Sequence, residues 1–395
     1  MGHTSSLPSE NTVQQSDELM LSAPSRVFFP HLDGLRFLAF FSVFLFHSFY
    51  TPDPSIEASA LYQVPHRLTR EGHLGVNFFF VLSGFLITYL LLVEKQLTGR
   101  IAIGAFYMRR VLRIWPLYFV IVFMGFVVLP FLKARFGQGP LHETAQPVYF
   151  FLFMANFNEI YHDCRTPTLA LLWSVSVEEQ FYLVWPLLMA AVPVRRYGWL
   201  FMGVLAMSIG FRTLHLHDRL ILNLHTLSVI GDMALGGLTA WLCFRDNRLV
   251  NWIAGWSRTT IALGYALGLG LIMSRALLTE LPGYLAIDRL VLAFFFAFVL
   301  LEQNYARNSF VKMVQFRFLS YWGTYTYGLY CLHYMALLFA IQIMHRLGLN
   351  GTPLGVVLGD NALALVLALG MSWVSFNFYE KPFLKLKNRF AFITR

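Results

Sequence analysis

An imidazole, a guanidinium and a carboxylate share one face of an otherwise apolar helix near the start of this chain. In "HLDGLRFLAFFSVFLFH", residues 31 to 47, Arg36 and His47 are eleven steps apart. At 100° per residue their side chains end only about 20° apart on an α-helix, and Asp33 falls within about 40° of His47. A neutral imidazole accepts a proton near pH 7, and a guanidinium holds phosphate or carboxylate oxygens bidentately. The remainder is mostly Phe, Leu, Val and Ala. In lipid such a stripe is costly, so it must face protein, a ligand or water.

Other segments carry comparable groups. "FYMRRVLRIWPLYF" places Arg109, Arg110 and Arg113 just before a long apolar run, with Arg110 and Arg113 on one face at i,i+3. They read either as a positive-inside anchor or as a phosphate-binding cluster. "LWSVSVEEQFYLVWP" sets Glu178 and Glu179 inside an apolar stretch, with Ser174, Glu178 and Tyr182 on one stripe. An intramembrane carboxylate marks a functional site by default; a buried ion pair that only fixes packing is the plainer alternative. "TYTYGLYCLHYM" carries His333, an accessory candidate, although a histidine on an apolar helix is more often a packing group. "HLHD", residues 215 to 218, lacks the spacing of a metal site and reads as a water-facing loop; no metal is expected. Gly75, Ser83 and Gly84 in "GVNFFFVLSGF" suit close helix packing. "FYEKPF", residues 378 to 383, reads as a pre-proline stop with an interfacial ion pair.

The elements that must hold these groups are membrane helices. Of 395 residues 57% are hydrophobic and 13% charged, against roughly 25% charged in soluble domains, and the mean hydropathy is +0.57. Apolar spans can be drawn at about 33 to 51, 74 to 93, 114 to 132, 169 to 192, 198 to 213, 226 to 244, 259 to 274, 288 to 302, 318 to 343 and 354 to 376. The fold class is therefore all-α, a polytopic bundle of about ten transmembrane helices. A further apolar stretch, 148 to 157, is too short to span. Residues 1–30 form a polar tail without a signal-peptide core, 31–383 the membrane domain, and 384–395 a basic tail. Lys and Arg are more numerous on the side of the termini, which places both termini in the cytoplasm. Scattered between spans, the formal charge of +9 argues against a nucleic-acid surface. Cys164, Cys243 and Cys331 give no disulfide framework. Counting depth along each helix brings His47 and Glu178 to similar levels, so a His47 pairing with Glu178 or Glu179 is expected.

These segments, in order with "YGLYCLH", resemble the membrane-bound acyltransferase 3 family of bacterial O-acyltransferases over residues 31 to about 383. The family's Arg-x10-His pattern falls on Arg36 and His47, its arginine-rich motif on Arg109, Arg110 and Arg113, and its Glu-Glu segment on Glu178 and Glu179. The resemblance implies a multi-pass inner-membrane enzyme with His47 as the essential group. Its donor would be acyl-CoA, commonly acetyl-CoA, bound on the cytoplasmic side, and its acceptor a hydroxyl of a sugar, polysaccharide or related molecule; no permanently bound cofactor is implied. Arg36, with Asp33 and the arginine cluster, would hold the donor. Some members carry a fused SGNH hydrolase-like domain; with its last motif ending at 383, this sequence is expected to lack one. Asp232, an unusual intramembrane acid, could touch the acceptor. A proton-coupled transporter or flippase of a glycan or anionic metabolite, using His and Glu as a relay, is the competing reading. The His-x4-Asp pattern of glycerol acyltransferases is not matched, because five residues separate His47 from Asp53.

Overall fold

The structure, a computed structural model, describes residues 29–135, 144–162, 164 and 166–390. Among the described residues every regular element is helical. The principal helices are α1 (Leu32–His47), α2 (Leu74–Thr98), α3 (Ile103–Phe123), α4 (Leu172–Ala191), α5 (Tyr197–Leu214), α6 (Thr226–Arg245), α7 (Arg258–Leu278), α8 (Tyr284–Tyr305), α9 (Thr326–Arg346), α10 (Asn361–Val374) and α11 (Lys381–Lys387). Asp33, in the first turn of α1, suits the helix dipole. Gly99 ends α2 in the left-handed conformation, φ 73°, where a side chain would be strained.

Among the described residues eight helical stretches are long and apolar enough to cross a membrane, fewer than the ten expected. The other two expected spans are helices that fall short for different reasons. α1 has 16 residues, about 24 Å at 1.5 Å per residue, less than the ~30 Å of hydrocarbon. α4 has 20 residues, but its serines, glutamates and glutamine lower its hydropathy. The stretch at 148 to 157 forms two short helices, Pro147–Phe151 and Ala155–Tyr161. The expected tail at 1–30 lies almost wholly outside the described residues. The described part of the expected basic tail is the end of α11 and the turn Asn388–Phe390.

α2 runs through the centre, crossing α6 closely and touching α1, α4 and α8. The approach is made by reciprocal glycines. A Cβ on Gly84 would overlap the Met233 carbonyl of α6, and one on Gly236 would overlap the Val81 carbonyl of α2. Side-chain rotation cannot relieve a clash with backbone, so the helices would have to part. Gly84→Ala should therefore lower the unfolding temperature of the detergent-purified protein, at a cost of about 1–3 kcal/mol or more. Gly104→Ala, which meets nothing within 4 Å, should leave that temperature unchanged or raise it slightly. Equal melting of the two variants would contradict the packing argument. At the edge, α7 exposes Leu263, Leu267, Met273 and Leu277, as a lipid-facing helix does.

Candidate active site

α1, α2, α3, α4 and α9 enclose a cavity of about 370 Å³. Its polar end is built by Asp33 and Arg36 of α1, Arg110 and Arg113 of α3, and Lys387. Arg36 is ion-paired to Asp33 one turn before it. Arg110 lies over the Tyr182 ring at 5.6 Å, its Nε buried and without a hydrogen-bond partner. Among the described residues no carboxylate lies within ion-pair distance of Arg110 or Arg113. Guanidiniums with unused donors in a cavity have the chemistry to hold an anion. Opposite them, Glu178 accepts hydrogen bonds from Ser83 (2.8 Å) and Tyr182 (3.0 Å).

The cavity extends along α2 from Leu90 to Val76, 14 residues or about 21 Å of helix. Its far wall includes Ser174 and Tyr330, whose hydroxyls lie 2.6 Å apart, and Phe79, whose ring meets that of Tyr330 edge-on. His333 follows Tyr330 by three residues, about 4.5 Å further along α9. It is fully buried and hydrogen-bonds His47, Nδ1 to Nε2 at 2.9 Å, with the two rings stacked. Carbonyl oxygens only accept, so the 2.7 Å contact of His333 Nδ1 with the Tyr330 carbonyl puts a proton on that nitrogen. With the ring neutral, His333 Nε2 carries a lone pair and receives the Nδ1–H of His47. The Nε2 of His47 is then left with a lone pair of its own. His47 is half-buried, beside Tyr334 and Phe46.

The stripe of Asp33, Arg36 and His47 is thus divided between two ends of one site, the first two on the cavity and the imidazole beyond its far wall. Ser174, Glu178 and Tyr182 line the cavity together. Glu179 turns away, accepting from the Trp115 indole at 2.9 Å, because adjacent helical residues differ by about 100°. The expected pairing of His47 with Glu178 or Glu179 is not made: His333 holds the imidazole and the glutamates have other partners. Depth along a helix fixes level but not lateral neighbours, and that expectation rested on depth alone. Two of the three clustered arginines line the cavity. Arg109 does not; it pairs with Glu94 at 2.9 Å.

Other singled-out residues have structural partners. Asp232 pairs with Arg289 in a buried ion pair that is not part of the cavity lining. Asp218 caps the helix Arg219–Leu224 through the Ile221 amide, and His215 stacks on Phe211. Asp53 accepts from the Ser55 amide and hydroxyl, which holds its carboxyl below the usual carboxylate range. Ser83, expected to serve helix packing, instead lines the cavity on Glu178, and Tyr330 and Lys387 are lining residues outside the expected set. Tyr330 was within reach, since it precedes His333 by one turn in "YGLYCLH"; Lys387 carries no signal that separates it from its basic neighbours.

The fold defines a polytopic helical membrane protein, and its internal cavity is lined at one end by cationic side chains. The profile of the acyltransferase domain family matches residues 29–379, and the chain belongs to the acyltransferase 3 family. It is similar to a Staphylococcus aureus protein named as an O-acetyltransferase, 29% identical over 46% of this chain and 29% of the relative. The peptidoglycan O-acetyltransferase OatA of Listeria monocytogenes is 28% identical over 41% of this chain and 24% of its own length. YrhL of Bacillus subtilis, named as a peptidoglycan O-acetyltransferase, is 25% identical over 90% of this chain and 55% of the relative. The matches thus span between about a quarter and about half of these relatives' lengths. No solved structure matches the chain.

Proposed function

We propose that this protein is an integral-membrane O-acyltransferase that moves an acyl group, acetyl being the family's commonest, from acyl-CoA to a hydroxyl of a sugar, polysaccharide or related acceptor. One observation carries the reading: a cavity with Arg110 and Arg113, which among the described residues have no carboxylate partner, at one end and an imidazole pair one helical turn beyond the other. The names of the relatives, which join O-acetyl transfer to peptidoglycan, support a glycan acceptor. In this reading both termini and the arginine end face the cytoplasm, and the protein sits in the inner (plasma) membrane. Arg110 and Arg113 hold the donor phosphates bidentately, and Arg36 joins them with its orientation set by Asp33.

A thioester is already activated, so the remaining needs are positioning and a base for the acceptor hydroxyl. His47 Nε2 takes the hydroxyl proton as the new C–O bond forms at the thioester carbonyl. The tetrahedral intermediate then collapses, the C–S bond breaks, and the CoA sulfur leaves with the proton returned from His47. Tyr330 lines the cavity and its ring also meets that of His333, so it must shift to admit the thioester.

Inside-out vesicles test the direction of transfer. Label in the acyl carbon of externally added acyl-CoA should appear covalently on lumenal acceptor, while label in the CoA moiety stays outside. Intact acyl-CoA in the lumen beside unmodified acceptor would instead make the protein a transporter.

A further inference from the structure

We infer that the C-terminal segment beyond the family-matched residues is a wall of the donor site, with Lys387 as a phosphate-binding residue. The inference rests on the donor proposed above. The family match stops at residue 379, one residue before the end of the π-helical turn Ser375–Glu380. Pro382 then opens α11 near its N-terminus, where a missing N–H is harmless. α11 and the turn Asn388–Phe390 lie back against α3, the helix that carries the arginine cluster.

Contacts at both ends hold the segment there. The Tyr379 hydroxyl donates to the Pro116 carbonyl at 3.2 Å. Arg109 donates through Nη1 to the Phe390 carbonyl at 2.8 Å and through Nη2 to Glu94 at 2.9 Å. Glu94 is buried and also accepts from the Ala102 amide. Arg109 is therefore committed to the scaffold before any ligand arrives, and the segment it holds is ordered in advance, which spares binding that entropic cost.

Of the cations on this segment, Lys381, Lys385 and Arg389 are exposed, whereas Lys387 is half-buried and lines the cavity. It joins Arg36, Arg110 and Arg113, so among the described residues the lining carries four cationic side chains and two carboxylates, Asp33 and Glu178. Such a surplus suits a ligand with more than one negative charge. An ammonium serves phosphate as a point charge beside the arginine forks. An anionic lipid headgroup offers the same phosphate chemistry, but the exposed lysines of α11 are better placed for it, and the position of Lys387 inside the cavity assigns it to the donor.

The test is CoA binding by the purified full-length protein in neutral detergent, repeated in vesicles with and without anionic lipid. Lys387→Gln should weaken CoA binding about tenfold, Lys387→Arg should largely restore it, and Lys385→Ala should match wild type. Wild-type binding left unchanged by Lys387→Gln would overturn the inference alone. Absence of CoA binding by the wild type would remove the proposed donor and the inference together. An effect of Lys387→Gln seen only with anionic lipid would reassign the lysine to headgroups and also overturn it.

Discussion

His47→Ala should lower the turnover of acyl transfer by at least about 10²-fold, the lower bound for losing a positioned general base, while the protein still inserts and folds. Alanine is the best helix former, and His47 sits in the last turn of α1, so the backbone has no reason to change. What disappears is a lone pair at Nε2 and a donor to His333. The surviving cavity should bind CoA as before, because none of its lining residues is altered. Turnover at equal expression and CoA binding, measured side by side, check this. Activity within a few-fold of wild type would place the base elsewhere, and loss of both quantities would point to a structural role for His47.

His333 acts, in the proposed mechanism, through His47, and its replacement should separate orientation from packing. His333→Leu keeps a buried apolar side chain of similar bulk but removes the acceptor for the His47 Nδ1–H. The imidazole is then free to rotate or to exchange its two ring protonation sites, and turnover should fall about 10- to 100-fold, the equivalent of a lost hydrogen bond of about 1–3 kcal/mol at a buried group. The Michaelis constant for the donor should change little, since His333 lies a turn beyond the cavity. His333→Gln offers a carbonyl that can accept the same proton and should recover part of the turnover. If Leu and Gln variants are equally impaired, or if the donor constant moves as much as turnover, His333 is a packing residue. Melting temperatures of both variants distinguish that outcome from loss of folding.

Neither experiment touches the arginine end of the cavity, where α11 packs on α3 and both supply lining residues beside those of α1. The separation matters because the two ends obey different physics. In the proposed mechanism, charge and preorganisation set affinity at the arginine end, and one proton and its direction set rate at the histidine end. A long cavity between them lets a donor be held by phosphates remote from the reacting carbon, where binding energy can position the thioester.

The sequence by itself determined the helical membrane class, the placement of most helices, and which side chains share a face of a single helix. The 3.6-residue period and the cost of polar groups in hydrocarbon are local rules, so Asp33 and Arg36 on one stripe of α1, or Ser174, Glu178 and Tyr182 on one stripe of α4, follow from spacing alone. The family motifs also marked most of the segments that form the cavity. Only the tertiary structure decided which stripes meet. The Gly84 and Gly236 contact sets how closely α2 and α6 cross, the short α1 ends at His47, and α9 brings His333 there instead of α4 bringing a glutamate. The same packing turns Glu179 to Trp115, commits Arg109 to Glu94 and Phe390, and folds Lys387 back onto the cavity. Depth and periodicity act along one helix axis, whereas lateral neighbours depend on the shapes of many side chains distant in sequence, which is why the partner of His47 became legible only when the helices were assembled.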